Sequence, residues 1–319
     1  MAIASSEWED RIGRRLRLRD LHILSAVVQW GSMAKAASHL RMSQPSVSEA
    51  IAKLENALRV RLLDRSPRGI EPTIYATALL KRGLVVFDEL RQGIKDIEFL
   101  SDPTVGEVRI GCSESLIPGF LSATIDRLSH RYPEIVVHVV DVQPTATRYR
   151  DLRERNVDLM LGRIFQPVVD DEIVAEVLFE DRYFVVAGAK SPWVRRRKIA
   201  LAELVNEPWI HIPPTNVFGS FLAGAFRAHG LELPRKGVHS FSHHLRYDLL
   251  ATGRFLTLIP GEVLRYNAER WALKALPIHL KIQSYSVAVF TLKKRTLSPV
   301  AALFIDQARE VAKLIAKTR

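Results

Sequence analysis

The sequence predicts an α/β chain with an all-helical N-terminal unit, a long linker helix and a larger C-terminal half of alternating strands and helices. Three observations predict this order. Apolar residues recur at helical spacing through most of residues 19–100, and the period is lost only where Pro67, Gly69 and Pro72 cluster. From about residue 105 onwards, short apolar strands alternate with amphipathic helices, as is typical of βαβ units.

Size and composition limit the class of protein. The 319 residues suffice for two or three units, since domains have roughly 100–200 residues each. Hydrophobic residues make up 47% and charged residues 25%, as in ordinary folded proteins. No apolar run approaches the roughly 20 residues of a membrane span, and the acidic residues 7–10 argue against a secretory signal. The single cysteine, Cys112, cannot form an intramolecular disulfide, and we expect a cytoplasmic protein.

Positive charge is concentrated near the N-terminus. Residues 11–70 carry twelve Lys or Arg and four Asp or Glu, a net charge of +8, whereas the rest of the chain carries only +3 of the total +11. A basic block joined to a nearly neutral remainder indicates a module that binds a polyanion such as nucleic acid. Charge alone leaves a solvated basic surface as the alternative.

Three short helices are predicted in the N-terminal unit, at residues 19–30, 33–40 and 43–58. Ser32 and Ser43 stand at the starts of the second and third helices, where a hydroxyl can accept from the free amides of the first turn. A helix, a turn of three to four residues and a second helix with an exposed polar face form the helix-turn-helix motif.

A wing and a linker helix are predicted to follow. Residues 62–73 lose the helical period and are expected to form a tight hairpin or loop beside the third helix. A long helix is predicted over about residues 74–99, and residues 101–104 are interpreted as a hinge. Because this helix carries so much apolar surface, we expect a second copy of the chain to pack on it. Its apolar residues are Leu79, Leu80, Leu84, Val86, Phe87, Leu90, Ile94 and Ile97.

The C-terminal half is predicted to contain a parallel-dominated sheet with helices on both faces. Strands are expected at residues 105–111, 135–142, 159–162, 172–188 (two strands), 255–259 and 285–292. Helices are expected at residues 118–131, 149–156, 218–229, 244–252 and 298–317.

The leading end of the third helix is expected to meet double-stranded DNA, because the second helix of this motif enters the major groove with its N-terminus first. Gln44 can donate and accept at a base edge, and serine hydroxyls can meet bases or phosphates. Lys53 suits a phosphate, and Arg65 and Arg68 flank the wing turn, where they can reach the backbone or minor groove. The predicted DNA-binding residues are Ser32, Lys35, Ser43, Gln44, Pro45, Ser46, Ser48, Lys53, Arg65 and Arg68.

The N-terminal segment resembles the LysR-type transcriptional regulators. Residues 18–24 (LRDLHIL), 31–40 (GSMAKAASHL) and 43–48 (SQPSVS) are similar to that family's first, second and recognition helices. Residues 54–58 (LENAL) then lead to a similar wing entry at residues 62–65 (LLDR). Several motifs in the right order are far more specific than a lone helix-turn-helix.

Two positions depart from the family pattern. Leu63 stands where the family usually has Phe. The family usually has a Thr-x-x-Gly step after the wing, whereas residues 73–76 of this chain are TIYA, so that Ala76 stands in place of the Gly. We expect both changes to affect packing near the linker more than reading of the groove.

The resemblance implies a winged helix-turn-helix, a linker helix that pairs two subunits, and homotetramers that bend DNA. It also implies a C-terminal half folded like a periplasmic binding protein, with a small-molecule effector between two α/β lobes. RNA polymerase is a further expected partner, and no cofactor, metal site or catalytic residue is expected. The expected parts are a DNA-binding domain at 1–73, the linker and hinge at 74–104, and an effector-binding domain at 105–319, with lobe I at about 105–163 and 266–319 and lobe II at about 164–265.

Candidate effector residues follow predicted strands, because ligands of open α/β sheets gather at the carboxyl ends of strands near helix N-termini. By resemblance, Ser113 and Ser115 fall where the family has cleft residues, and Arg163 can pair with an acidic effector. A local cap or turn is the alternative for each residue. This set favours a small acid or sugar derivative, and comprises Ser113, Glu114, Ser115, Arg163, Phe165, Thr215 and Asn216.

Two other classes of protein were weighed. An enzyme whose N-terminus only dimerises needs a catalytic constellation in the C-terminal half, and the sequence contains no such motif. A plain solute-binding protein is disfavoured by the helix-turn-helix and by the expected lack of a secretory signal. His239, His243 and His244 lack the further ligands of a metal shell. Cys112 is expected to be a small buried strand residue, because nothing indicates the lowered pKa and access of a redox thiol.

Overall fold

The fold is seen in a computed structural model, which describes residues 16–66, 69–142, 149–213 and 217–317. The chain divides into two compact units, Met1–Arg91 and Gln92–Arg319. No helix in the part of the chain that the structure describes is long and apolar enough to span a membrane.

Within residues 16–66, the N-terminal unit is built from three helices: α1 (Leu18–Trp30), α2 (Met33–His39) and α3 (Gln44–Leu58). The predicted helices are therefore confirmed, with ends that differ by at most one residue. Their apolar stripes recur every three or four residues, so one face of each helix turns inward. The core between them includes the fully buried Leu24, Val27, Val47, Ile51 and Leu54.

The wing is a two-stranded antiparallel hairpin, as predicted. Strand β1 (Leu63–Ser66) pairs with β2 (Gly69–Pro72). Leu63 is 5% exposed and Ala76 is fully buried in the core of this unit. Both departures from the family pattern thus lie in packing positions, as expected.

The linker helix, α4 (Ile74–Ser101), has 28 residues. Thr73 precedes it, and the Thr73 hydroxyl accepts from the Ala76 amide at 3.3 Å, as an N-cap residue does. The same hydroxyl donates to the Arg61 carbonyl at 2.9 Å, so the start of the helix is tied to the wing entry.

Two five-stranded sheets form the second unit. The first sheet contains, in spatial order, β4 (Ile135–Asp141), β3 (Gly106–Cys112), β5 (Leu159–Ile164), β12 (Tyr285–Leu292) and β6 (Ile173–Asp181). The second contains β11 (Leu273–Ala275), β7 (Tyr183–Gly188), β10 (Leu256–Pro260), β8 (Trp209–His211) and β9 (Gly237–His239). We call these two sheets, with their helices, lobe I and lobe II.

Helices cover the two sheets. A 3-10 turn at Glu114–Leu116 and a π turn at Ile117–Leu121 follow β3, so the first predicted helix of this half begins later than expected. The helices are α5 (Ser122–Arg131), α6 (Arg150–Arg153), α7 (Val217–Arg227), α8 (His243–Ala251), α9 (Gly261–Asn267) and α10 (Pro299–Ala316).

The prediction of a parallel-dominated sheet is wrong. Each sheet has two parallel and two antiparallel strand pairs. In lobe I the antiparallel pairs are those of β12, which the chain adds after it has returned from lobe II. A strand that enters from the other lobe is not joined by a crossover helix, and so need not run parallel.

The expected lobe boundaries also need correction. Lobe I was expected to end near residue 163 and to resume near residue 266. Instead, β6 pairs with β12 and belongs to lobe I, whereas β11 pairs with β7 and belongs to lobe II. The chain therefore enters lobe II at Arg182 and returns between β11 and β12.

Candidate DNA interface and effector cleft

The tip of α3 is exposed and held by a cap. The Ser43 hydroxyl accepts from the Ser46 amide at 3.3 Å and lies 2.8 Å from the Ser46 hydroxyl. Gln44, Pro45 and Ser46 are exposed, and Ser48 is half-buried. The side chains predicted to meet DNA at this tip thus face solvent on a helix whose first turn is fixed.

Lys53 lies further along α3, as predicted, on its exposed side. Its Nζ lies 2.7 Å from Glu49 Oε1, one turn earlier, and both side chains are more than half exposed. Such surface pairs contribute little free energy, because both charges stay hydrated. A phosphate can therefore take the place of Glu49 at small cost.

Ser32 and Lys35 lie at the start of α2. The Ser32 hydroxyl accepts from the Lys35 amide at 3.4 Å, which gives this serine a capping role, while the Lys35 side chain is exposed. Arg65 lies on β1 opposite Ile70, whereas Arg68 falls outside the residues that the structure describes.

The wing is fixed to the helices by a residue that sequence reasoning gave no role. Glu55 Oε1 accepts from the amides of Leu62 and Leu63, at 2.8 and 3.3 Å, and so ties the end of α3 to the wing entry. The Ile70 amide also donates to the Gly31 carbonyl at 3.1 Å, between α1 and α2. These bonds fix the wing to α3 and to the turn between α1 and α2.

The loop after β3 carries the first predicted effector residues. The hydroxyls of Ser113 and Ser115 lie 3.1 Å apart, and Glu114 is half-buried between them in the chain. The Ser115 hydroxyl also accepts from Arg163 Nη1 at 2.5 Å, and its carbonyl accepts from Nη2 at 3.2 Å. The structure thus brings Ser113, Ser115 and Arg163 together, as predicted.

Arg163, however, already has partners within the protein. Its Nη2 donates to Glu262 Oε1 at 2.5 Å, and the two side chains are 3% and 0% exposed. Glu262 therefore occupies the place of the acidic effector that we predicted for Arg163. Burial raises the pKa of Glu262 to about 8, although Arg163 opposes this shift.

Glu262 is part of a hydrogen-bonded joint where the chain passes between the lobes. Asp181, the last residue of β6, accepts at Oδ2 from the Glu262 amide at 3.0 Å and from the Tyr285 hydroxyl at 2.8 Å. Gly119 packs against Glu262 so closely that a Cβ there would lie 2.1 Å from Oε2. Glu262 thus links α9, the lobe crossing and the loops of lobe I.

Phe165, the next predicted cleft residue, packs across the lobes. Its ring centroid lies 4.7 Å from that of Phe221 on α7 and 5.4 Å from that of Tyr285. Thr215 and Asn216, predicted for the facing loop, fall outside the described residues.

The comparisons with known proteins match this arrangement over nearly the whole chain. Residues 18–77 match the family described as bacterial regulatory helix-turn-helix protein, lysR family, and residues 101–313 match the LysR substrate binding domain. The chain belongs to the LysR family of transcriptional regulators. Its function is DNA-binding regulation of transcription with an effector-binding domain, and not catalysis.

Relatives in the LysR family have the same full-length organisation. The chain is 25% identical over 288 residues to the HTH-type transcriptional regulator GbpR of Azospirillum brasilense, covering 90% of this chain and 84% of that protein. It is 24% identical over 296 residues to the HTH-type transcriptional regulator TdcA of Escherichia coli, covering 92% and 93%.

Solved structures of LysR regulators share the fold. Full-length CbnR in complex with its target DNA has a TM-score of 0.53 and 22% identity, covering 93% of this chain and 99% of that one. A full-length OxyR variant from Pseudomonas aeruginosa has a TM-score of 0.64 and 18% identity, covering 93% and 95%.

Cys112 of this LysR regulator is buried at the end of β3. Burial raises the pKa of its thiol well above the usual value. The thiolate, which is the reactive form, is therefore disfavoured, in agreement with the predicted structural role.

A cavity of about 750 Å³ lies between lobe I and lobe II of this regulator. Its size is typical of sites for small ligands. One wall is the loop after β3, including Glu114, and the opposite wall is α8 with the stacked rings of Tyr247 and Trp271. Sequence reasoning predicted Glu114 here but neither aromatic residue.

Arg246, on α8, is the charged residue of lobe II that sequence reasoning missed. It is 3% exposed, and neither Nε nor Nη2 has a hydrogen-bond partner. Burial lowers its pKa, because the charged form is desolvated. A signal was available in the sequence: Arg246 lies three and four residues before Leu249 and Leu250, on the stripe that a helix normally fills with apolar side chains.

Proposed function

We propose that this regulator reads its operator with the exposed tip of α3 and steadies itself on the DNA backbone with Lys35, Lys53 and the wing. The observation that carries the proposal is the capped first turn of α3, which presents Gln44 and Ser46 to solvent in a unit with a surplus of positive charge. Full-length CbnR, which shares this fold and was solved in complex with its target DNA, supports binding of DNA here.

The regulator is proposed to act as a dimer built on α4, and as a tetramer of two such dimers. Support comes from an apolar stripe on this helix that is exposed in the single chain. Its members, with their exposure, are Leu84 38%, Val86 43%, Leu90 49%, Ile94 59%, Ile97 66% and Leu100 81%. A stripe of this kind is stable in water when a second copy covers it.

Charge placed on this stripe tests the dimer. Ile94→Glu with Ile97→Glu is expected to yield monomers in sedimentation velocity, since both side chains would be desolvated on pairing. Lys81→Glu, an exposed residue on the opposite side of the same helix, is the control and keeps the wild-type assembly. Equal sedimentation of all three proteins would place the dimer contact elsewhere.

The effector is proposed to be a small acid or sugar derivative that binds between the lobes. The hydroxyls of Ser113 and Ser115 and the adjacent cavity support this placement.

A ligand shifts a regulator only if it binds two arrangements of the lobes with different affinities. Closure of the lobes on the effector would change the spacing of the recognition helices and so the bend of the DNA. Contact with RNA polymerase, in the cytoplasm, would pass this change to transcription.

The experiment is a footprint of the regulator on its operator, together with the bend angle, in the presence and absence of an effector found by thermal-shift screening. The proposal expects the protected region or the bend to change. Identical footprints and bends at saturating effector would refute the switching part of the proposal.

A further inference from the structure

Arg246 is a buried cation without a partner. Of its charged neighbours in the described part of the chain, none lies within ion-pair distance, and its Nε and Nη2 atoms are closed to solvent and make no hydrogen bond. A buried charge is normally paired, because desolvation is costly. The side chain is therefore arranged for a partner that is not part of this chain.

The position of Arg246 strengthens this conclusion. It is the fourth residue of α8, whose start is capped by Ser242: the Ser242 hydroxyl accepts from the Leu245 amide at 3.3 Å. The positive end of a helix dipole disfavours a cation and favours an anion. Helix and guanidinium thus act together on the same kind of ligand.

The neighbours of Arg246 do not supply the missing charge. Burial lowers the pKa of His211 to about 4 and that of His243 to about 3, so both imidazoles are neutral at pH 7. Tyr247, Tyr183 and Glu114 act on the charge of Arg246 without forming an ion pair or hydrogen bond with its Nε or Nη2. Arg246 therefore remains a cation without a balancing charge, beside His211 and Thr257 in lobe II.

The two unpartnered atoms also define the shape of the ligand. Nε and Nη2 lie on the same edge of the guanidinium plane and point their hydrogens in parallel. This edge matches the two oxygens of a carboxylate, in the bidentate geometry that Arg prefers. A sugar hydroxyl would satisfy one of these donors but would not neutralise the charge.

We propose that Arg246 is the anchor for a carboxylate group of the effector, bound side-on by Nε and Nη2 at the start of α8. This inference rests on the proposed function and narrows it from a small acid or sugar derivative to a small carboxylic acid. It assigns to Arg246 the role that sequence reasoning had given to Arg163, whose Nη atoms are occupied by Ser115 and Glu262.

The test uses the full-length protein at pH 7 and constant ionic strength. The melting temperature is measured against C2 to C6 mono- and dicarboxylates, each paired with its neutral amide. The wild type is expected to be stabilised saturably by at least one carboxylate and not by its amide. In Arg246→Met this shift is lost, while the ligand-free protein melts at the same or a higher temperature, because the unpaired charge is gone.

Further variants distinguish the carboxylate anchor from a rival interpretation, in which Arg246 forms an ion pair with Glu114 when the lobes close. Arg246→Lys keeps the charge but loses the planar edge, and is expected to weaken carboxylate binding about tenfold or more. Glu310→Gln, an exposed residue on α10, is the control and should leave the shift intact. The rival predicts instead that Glu114→Gln lowers the ligand-free melting temperature as Arg246→Met does. If no carboxylate stabilises the wild type, or if Glu114→Gln and Arg246→Met lower the ligand-free melting temperature equally, the proposal is overturned.

Failure of the Arg246 anchor and failure of the effector-driven switch would give different experimental results. A carboxylate that binds through Arg246 but leaves the DNA footprint and bend unchanged would support the anchor and refute the switch. An effector that changes the footprint equally in wild type and Arg246→Met would support the switch and refute the anchor.

Discussion

Arg163 of lobe I and Glu262 on α9 meet at 2.5 Å in a contact that is closed to solvent. Asp181 holds the same glutamate by its amide, at the residue where the chain leaves lobe I. The contact therefore lies at the joint on which the lobes would turn. A change in the charge of this joint is therefore expected to change the free energy of unfolding.

Titration of Glu262 is expected to make the free energy of unfolding depend on pH. Burial raises its pKa from 4.5 to about 8, so between these values the folded protein holds a proton that the unfolded chain has lost. The free energy of unfolding is therefore expected to fall as the pH rises through this window, by up to about 1.4 kcal/mol per pH unit. Urea unfolding at pH 5, 6.5 and 8 measures this slope.

Glu262→Gln, which cannot titrate, should flatten the slope, and the exposed Glu310→Gln should not. The variant is thus expected to gain stability relative to the wild type between pH 5 and pH 8. A variant that instead loses relative stability as the pH rises would mean that Glu262 is ionised in the folded protein.

His211 and His243 predict the opposite dependence at lower pH. Burial lowers their pKa values from 6.5 to about 4 and about 3. Their contribution to stability is present above pH 6.5 and is lost as the pH falls towards these values, since the unfolded chain then binds more protons. Melting temperatures from pH 7 to 4.5 should fall less steeply in His211→Gln than in the wild type. His130→Gln, whose side chain is 80% exposed, is the control and should keep the wild-type slope.

Ser43 allows the stability of α3 to be separated from its DNA contacts. Ser43→Ala loses the cap, and the free energy of unfolding is expected to fall by about 1 kcal/mol. Ser43→Asp retains a capping oxygen, and so near wild-type stability, but its charge repels phosphates and DNA affinity should drop. If Ser43→Asp binds DNA like the wild type, Ser43 lies away from the DNA backbone.

Elements with a regular hydrophobic period or clear end signals can be predicted from this sequence. The helices of the N-terminal unit and the wing followed from spacing, caps and turn residues, because each element is long enough or sharply enough bounded to show its own signal. Strands β8, β9 and β11 have three residues each, too few for a period, and were not predicted. The direction of β12 was not predicted either, since it depends on a return from the other lobe.

The candidate cleft was predicted only in part, for a physical reason. Ser113, Ser115 and Arg163 lie together because they come from the carboxyl ends of β3 and β5, neighbouring parallel strands of one sheet. Glu262, the partner of Arg163, and Arg246, which has no partner for its Nε and Nη2, come from helices of the other lobe. Contacts across lobes leave no local pattern in a sequence. The pairing of Arg163 with Glu262, and the lack of partners for Nε and Nη2 of Arg246, can therefore be seen only in the folded structure.

The docking of α3 in the major groove is the central claim, and Gln44 tests it most directly. DNA selected from a random pool by the wild type should show a defined base preference, and Gln44→Ala should lose discrimination at one position of each half-site. The expected loss is about 1–3 kcal/mol at that base pair, with the rest of the motif unchanged. Lys274→Ala, an exposed basic residue on β11, is the control. If Gln44→Ala selects the same motif with the same strength at every position, the tip of α3 does not read the bases and the account is contradicted.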